Sequence, residues 1–113
     1  SSAASDVYKR QLLKLTEEEF RTRFRGSPIK RTKRRGLLRN VCVALGNSGD
    51  QCAVPALCEA LHHEESLVRG HAAWALGQLG GALARQALNE ALLSEEELEV
   101  RQEIRCALET GIG

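Results

Sequence analysis

A chain of 113 residues has room for one small domain, and at that size folding buries only about two thirds of the surface that the unfolded chain exposes. Aromatic residues make up only 4%, so the core has to come from Leu, Ala and Val with Trp74 as its one large wedge, a mixture that suits closely approaching helices and argues against a sheet. The net charge of +1 conceals an asymmetry: residues 1–48 hold 12 Lys or Arg against 4 Asp or Glu, and residues 49–113 hold 4 against 11, so one half attracts phosphates and the other repels them.

Residues 1–11 are polar, and Asp6-Val7-Tyr8-Lys9-Arg10-Gln11 resembles the translation of a transposase adaptor end used in sequencing libraries. They are expected to form a non-native or disordered tail, with the natural coding sequence beginning near Leu12. Residues 12–32 read as a connecting helix and basic linker. Thr16 followed by Glu17, Glu18 and Glu19 has the form of a capping box that starts a short helix. Phe20 and Phe24 share one face, Arg21, Arg23 and Arg25 take others, Gly26 supplies a left-handed stop, and Ser27-Pro28 can restart the chain.

Residues 30–39 place six Lys or Arg among ten residues without an acid, and an apolar helical pattern follows without a break. Lys30, Arg31, Lys33, Arg34 and Arg35 can bind backbone phosphates, or they can be the solvated start of a helix. Arg39 and Asn40 lie where the cationic face meets the apolar one. Asn40 can read a base edge or ribose, or hydrogen-bond a neighbouring helix end. No aromatic is interleaved among these cations, so contact with phosphate or RNA shape is expected in preference to base stacking. Asn47, beside Gly46 and Gly49, is expected to end the helix in a left-handed turn.

Residues 33–113 are repetitive. Ala44-Leu45-Gly46 recurs as Ala75-Leu76-Gly77, and Ala56-Leu57-Cys58-Glu59-Ala60-Leu61 recurs as Ala87-Leu88-Asn89-Glu90-Ala91-Leu92, both at an offset of 31. Val68-Arg69 and Ala75-Leu76 are answered by Val100-Arg101 and Ala107-Leu108 at an offset of 32. Each unit is a helix, a turn and a second helix, with Pro55 near the start of one second helix and Gly80-Gly81 as a turn. Such a unit cannot bury its apolar stripe alone, so copies stack, with alanines letting the axes approach and leucines filling the layer between. The fold class expected is all-α: a helical-pair solenoid of about two and a half repeats preceded by a short helix.

Several residues carry chemistry elsewhere but read as structural here. Cys42, Cys52, Cys58 and Cys106 lack the spacing of a zinc ribbon or iron-sulfur run and are expected to be reduced, with Cys42 and Cys106 at apolar helical positions. His62 and His63 are adjacent and His71 lies across a turn, so they make no metal site and are expected to face solvent. Trp74, flanked by Ala73 and Ala75, is expected as a core wedge. Glu95, Glu96 and Glu97 suit the positive end of a helix dipole. No leader or membrane span is visible, and a cytoplasmic protein is expected.

Val68-Arg69, Ala72-Ala73-Trp74-Ala75-Leu76-Gly77 and Gly80 together resemble the HEAT-like repeat, whose arrays serve as binding surfaces and as appended domains of enzymes. Leu15-Thr16-Glu17-Glu18-Glu19-Phe20, then Phe24, Gly26-Ser27-Pro28-Ile29, Arg31 and Arg34, then Gly36-Leu37-Leu38-Arg39-Asn40-Val41, Val43-Ala44-Leu45-Gly46-Asn47, resemble in that order the C-terminal part of epoxyqueuosine reductase. That family reduces epoxyqueuosine to queuosine in the anticodon loop of certain transfer RNAs. The resemblance implies an N-terminal cobalamin-binding catalytic domain and a ferredoxin-like module with two 4Fe-4S clusters, both outside these residues. It therefore implies no catalytic residue, metal ligand or cofactor within this chain. It implies contact with the tRNA anticodon stem-loop, for which Lys30, Arg31, Lys33, Arg34, Arg35, Arg39 and Asn40 are the candidates. The alternative is a stand-alone HEAT-like module that binds another protein.

Overall fold

In the computed structural model, which describes residues 2–26 and 31–110 with side chains over 5–26 and 34–110, the apolar stripes become helices. They are α1 (Ser2–Leu12), α2 (Glu17–Arg23), α3 (Arg31–Ser48), α4 (Val54–Ala60), α5 (Ser66–Leu79), α6 (Ala82–Ser94) and α7 (Leu98–Thr110), with a 3-10 turn at Gln51–Ala53. The Thr16 hydroxyl accepts the Glu19 amide at 3.1 Å while the Glu19 carboxylate accepts the Thr16 amide at 2.9 Å, so the capping box starts α2 as expected. Phe20 is buried against Phe24, their ring centroids 4.6 Å apart, and Gly26 leaves the helix with φ of +80°. The expected restart at Ser27-Pro28 lies outside the described residues.

α3 does not stop at Asn47. It runs on to Ser48, and Gly49 takes the positive φ of +72° at no side-chain cost. The Ser48 hydroxyl donates to the Leu45 carbonyl at 2.7 Å and accepts the Asp50 amide at 3.1 Å, which closes the helix end.

α5 lies between α3 and α7 and packs extensively on both, so these three form one layer; α4 and α6 form the second. The pairs α3/α4 and α5/α6 are repeats and α7 begins a third, as the offsets imply. The core is a sheet of leucines and alanines between the layers, including Leu38, Leu45, Leu57, Leu76 and Leu88, with Ile104 and Val68. The closest approach is made by glycine. A Cβ on Gly46 would stand 2.8 Å from Trp74 Cζ3 and 2.9 Å from Ala75 Cα, and one on Gly77 would stand 2.9 Å from Ala107 Cα and Cβ. Gly46 on Ala75 and Gly77 on Ala107 are the same joint, repeated.

That joint corrects the reading of Trp74. With α3 and α5 in near backbone contact there is no space between their axes for an indole, so Trp74 lies along Gly46 and is only partly buried. Cys106 is exposed, not core, whereas Cys42 is fully buried and loss of solvation pushes its thiol up to about 12. Glu95 does more than favour a helix dipole. Arg69 grips its carboxylate from Nε at 2.8 Å and Nη2 at 3.1 Å and also donates from Nη1 to the His63 carbonyl at 2.8 Å. One repeat later Arg101 Nη1 donates to the Leu92 and Glu95 carbonyls at 2.8 and 2.9 Å. Each arginine ties the turn before its helix to the helix itself.

Where disorder was one expectation for residues 1–11, the chain is helical from Ser2. Residues from Ser2 form α1, which packs on α3, with Asp6 buried, Lys9 paired to Asp6 at 3.9 Å and Arg10 reaching Asp50 at 3.8 Å. The helix is anchored where Leu12 and Leu13 enter the core.

Candidate nucleic-acid interface

The seven candidate residues do not share one environment. Lys30 lies outside the described residues, and Arg31 and Lys33 are placed by their backbone on the first turn of α3, which carries no acid. Arg35 is exposed, with Nη1 3.6 Å from the Glu65 carboxylate. Arg39 is half-buried and donates from Nε to the Oδ1 of exposed Asn40 at 3.2 Å, so the two are held as a pair. Arg31, Lys33, Arg35, Arg39 and Asn40 thus follow the start of one helix, whose dipole adds positive potential at that end.

Arg34 departs from the expectation of a phosphate-facing cation. It is 3% exposed, and its Nε and Nη2 donate to the Leu15 carbonyl at 3.3 and 2.8 Å. Nη1 stands 4.0 Å from the Glu17 carboxylate and 3.8 Å from that of Glu64, and Nη2 lies 3.1 Å from His63 Nε2. The signal for this was present in the sequence: Arg34 stands four residues before Leu38, on the line that continues through Val41, Cys42 and Leu45 into the core. Its neighbour Arg35 is turned about 100° away and reaches solvent.

His63 is correspondingly not solvent-facing. It is partly buried, its Nδ1 accepts the Glu65 amide at 3.0 Å, and its pKa is lowered by burial and then by the Arg34 charge, against Glu64 and Glu65. His62 is exposed, and His71 Nδ1 donates to the Leu67 carbonyl at 2.9 Å. Sequence reading gave Arg21, Arg23 and Arg25 only helix faces; all three are exposed cations, on and just after the α2 helix that packs on α3. Among the described residues no three His, Cys, Asp or Glu side chains converge as metal ligands. Cys42, Cys52, Cys58 and Cys106 sit on separate parts of the fold and do not fit an iron-sulfur cluster. No described helix is long and apolar enough to cross a membrane.

A family model of HEAT repeats matches residues 31–109. The chain belongs to the HEAT-repeat family. Its HEAT repeats and the helices before them are also similar to part of a larger enzyme. The chain is 44% identical over 71 residues to epoxyqueuosine reductase of Xanthomonas campestris pv. campestris, covering 62% of this chain and 20% of that protein. It is 31% identical over 99 residues to the Bacillus subtilis enzyme, covering 87% of this chain and 26% of that one. A crystal structure of epoxyqueuosine reductase with an epoxyqueuosine-modified tRNA-Tyr stem loop superposes with a TM-score of 0.81 at 32% identity, over 93% of this chain and 28% of that chain. The chain thus spans about a quarter of the length of these epoxyqueuosine reductases, and it is homologous to that segment of them.

Proposed function

We propose that this HEAT-repeat chain is the tRNA-contacting C-terminal part of an epoxyqueuosine reductase, the oxidoreductase that converts epoxyqueuosine to queuosine in the tRNA anticodon loop. The observation that carries the reading is its superposition, over nearly its whole length, on an epoxyqueuosine reductase solved with a tRNA stem loop. In this reading cobalamin, the two 4Fe-4S clusters and the chemistry belong to the catalytic and ferredoxin-like domains of the same enzyme. Lys30, Arg31, Lys33, Arg35, Arg39 and Asn40 hold the backbone of the anticodon stem-loop, and Arg34 holds α3 in place beneath them. Each cation that meets a phosphate displaces a condensed counterion, so affinity falls steeply with salt. The acidic later repeats turn away from the phosphates and set the orientation.

Binding of an anticodon stem-loop of a queuosine-type tRNA, followed across a salt series, tests this. Replacing Lys33, Arg35 and Arg39 with alanine is expected to weaken matched and unmatched stem-loops alike and to flatten the log-log salt dependence by up to about 2 to 3 units. A triple variant that keeps the parent's affinity and slope would remove these residues from the RNA interface.

A further inference from the structure

The α4–α5 turn, the start of α5 and the start of α3 meet at one side chain. His63 Nδ1 accepts the amide hydrogen of Glu65 at 3.0 Å, and Nε2 lies 3.1 Å from Arg34 Nη2. Glu65 is the N-cap residue of α5 and offers no side-chain cap, so the imidazole satisfies an amide that the helix leaves free. Arg34 extends the cluster to the Leu15 carbonyl and toward Glu17 and Glu64. Beside it a cavity of about 470 Å³ opens to solvent between the α1–α2 segment and α4.

A neutral imidazole keeps one lone pair, and the Glu65 amide takes it at Nδ1, so Nε2 carries the hydrogen and touches Arg34 Nη2 without a hydrogen bond. An imidazolium keeps none, so its Nδ1–H would point at the Glu65 N–H and its charge would stand 3.1 Å from a guanidinium. The charges around the ring come from every neighbouring element. α3 contributes Arg34, and α5 contributes Arg69, whose Nη1 binds the His63 carbonyl at 2.8 Å. α4 contributes Glu59, the turn itself His62, Glu64 and Glu65, and the segment before α2 contributes Lys14 across the cavity. Glu17 approaches through Arg34, and Glu95, Glu96 and Glu97 border the ring's other side from the α6–α7 turn. Burial first, then Arg34, with Arg69 behind, outweigh the pull of Glu64 and Glu65, and the ring resists protonation.

We infer that His63 is a proton-operated latch: neutral, it clasps the α4–α5 turn to the start of α5; protonated, it loses that acceptor and brings its charge against Arg34, and the turn opens. The open form then takes a proton more readily than the closed one. Opening is therefore indifferent to pH above about 6.5 and rises as the pH falls below it, by up to about tenfold per pH unit, until the closed form titrates as well. This holds whether or not the chain binds RNA.

Amide hydrogen exchange of Glu65, corrected for the intrinsic effect of pH and followed by NMR alongside the histidine ring signals, tests it. The expected result is that His63 titrates below the ordinary imidazole range, and that opening at Glu65 rises as the pH falls from about 6.5 and levels off where His63 of the closed form titrates. His63→Asn keeps an acceptor oxygen without an ionisable ring and is expected to abolish the rise; Arg34→Met is expected to move the His63 titration upward. Opening at Glu65 that stays flat between about pH 6.5 and the His63 titration, or an unchanged rise in His63→Asn, would overturn the latch. Should His63→Asn not fold, the measurement on the parent chain decides alone.

Discussion

Taking away the buried Arg34 guanidinium would leave the Leu15 carbonyl without its two donors and Glu17 beside a vacated charge. Arg34→Met is expected to cost about 3 to 5 kcal/mol in urea unfolding, the range for breaking a buried ion pair from one side. Arg35→Met, at an exposed side chain, is expected to stay within about 1 kcal/mol. The opposite assignment of the two would mean that the Arg34 guanidinium is solvated. Titratable residues add a pH dependence on the acid side. His63 has a lowered pKa, so it costs nothing above about 6.5 and lowers stability as the pH falls below it. For Glu95, burial alone would raise the carboxyl, but the Arg69 hydrogen bonds and the Glu97 amide outweigh it and hold the pKa below 4.5. Its contribution is present above 4.5 and is lost as the pH falls through the lowered value, a loss that should shrink in Arg69→Met when stability is measured against pH. At this scale the sequence was legible where a local motif settles the geometry, as at Thr16 and Glu19. It was less so at Arg34, because a run of like charges draws attention to its sum and away from the one member in line with Leu38.

Among the elements, the repeat offset was readable because stacking requires the same small and large residues at the same places. What the offset does not reveal is which small residue makes the contact. Gly36, Gly46 and Gly77 all stand inside helices, yet a Cβ meets nothing within 4 Å at Gly36 and meets backbone atoms at the other two. Gly36→Ala is therefore expected to stabilise by about 0.5 to 1 kcal/mol, through helix propensity alone. Gly46→Ala and Gly77→Ala are each expected to destabilise by about 1 to 3 kcal/mol, because the neighbour that must yield is main chain. Thermal melts of the three variants separate propensity from packing. Trp74→Ala is expected to cost less than the about 3 kcal/mol at which fully buried aromatic truncations begin, since the indole is only partly enclosed, and the parent's fluorescence should be intermediate between buried and exposed tryptophan. α1 presents a comparable case: Val7 and Tyr8 are exposed, so deleting residues 1–10 while keeping Leu12 and Leu13 is expected to lower stability by no more than about 1 kcal/mol. Composition alone concealed this helix, because its anchor is in the leucines that follow it.

At the scale of the whole molecule the array measures 44 × 35 × 15 Å, a slab two helices thick, with a basic first half and an acidic second half. That polarity was visible in the sequence as an uneven distribution of charge, and in the fold it runs along the direction in which the repeats stack. An array of this kind transmits geometry as a lever does. At Gly46 and again at Gly77 one helix bears on the next through a hydrogen atom where every other residue would place at least a carbon. A methyl group inserted there would prop one edge of the joint open, and all that lies beyond it would swing as a rigid arm, moving farther the more distant it is from the pivot. The direction in which the acidic end points, relative to the basic one, is thus held by two residues that present almost nothing to their neighbours.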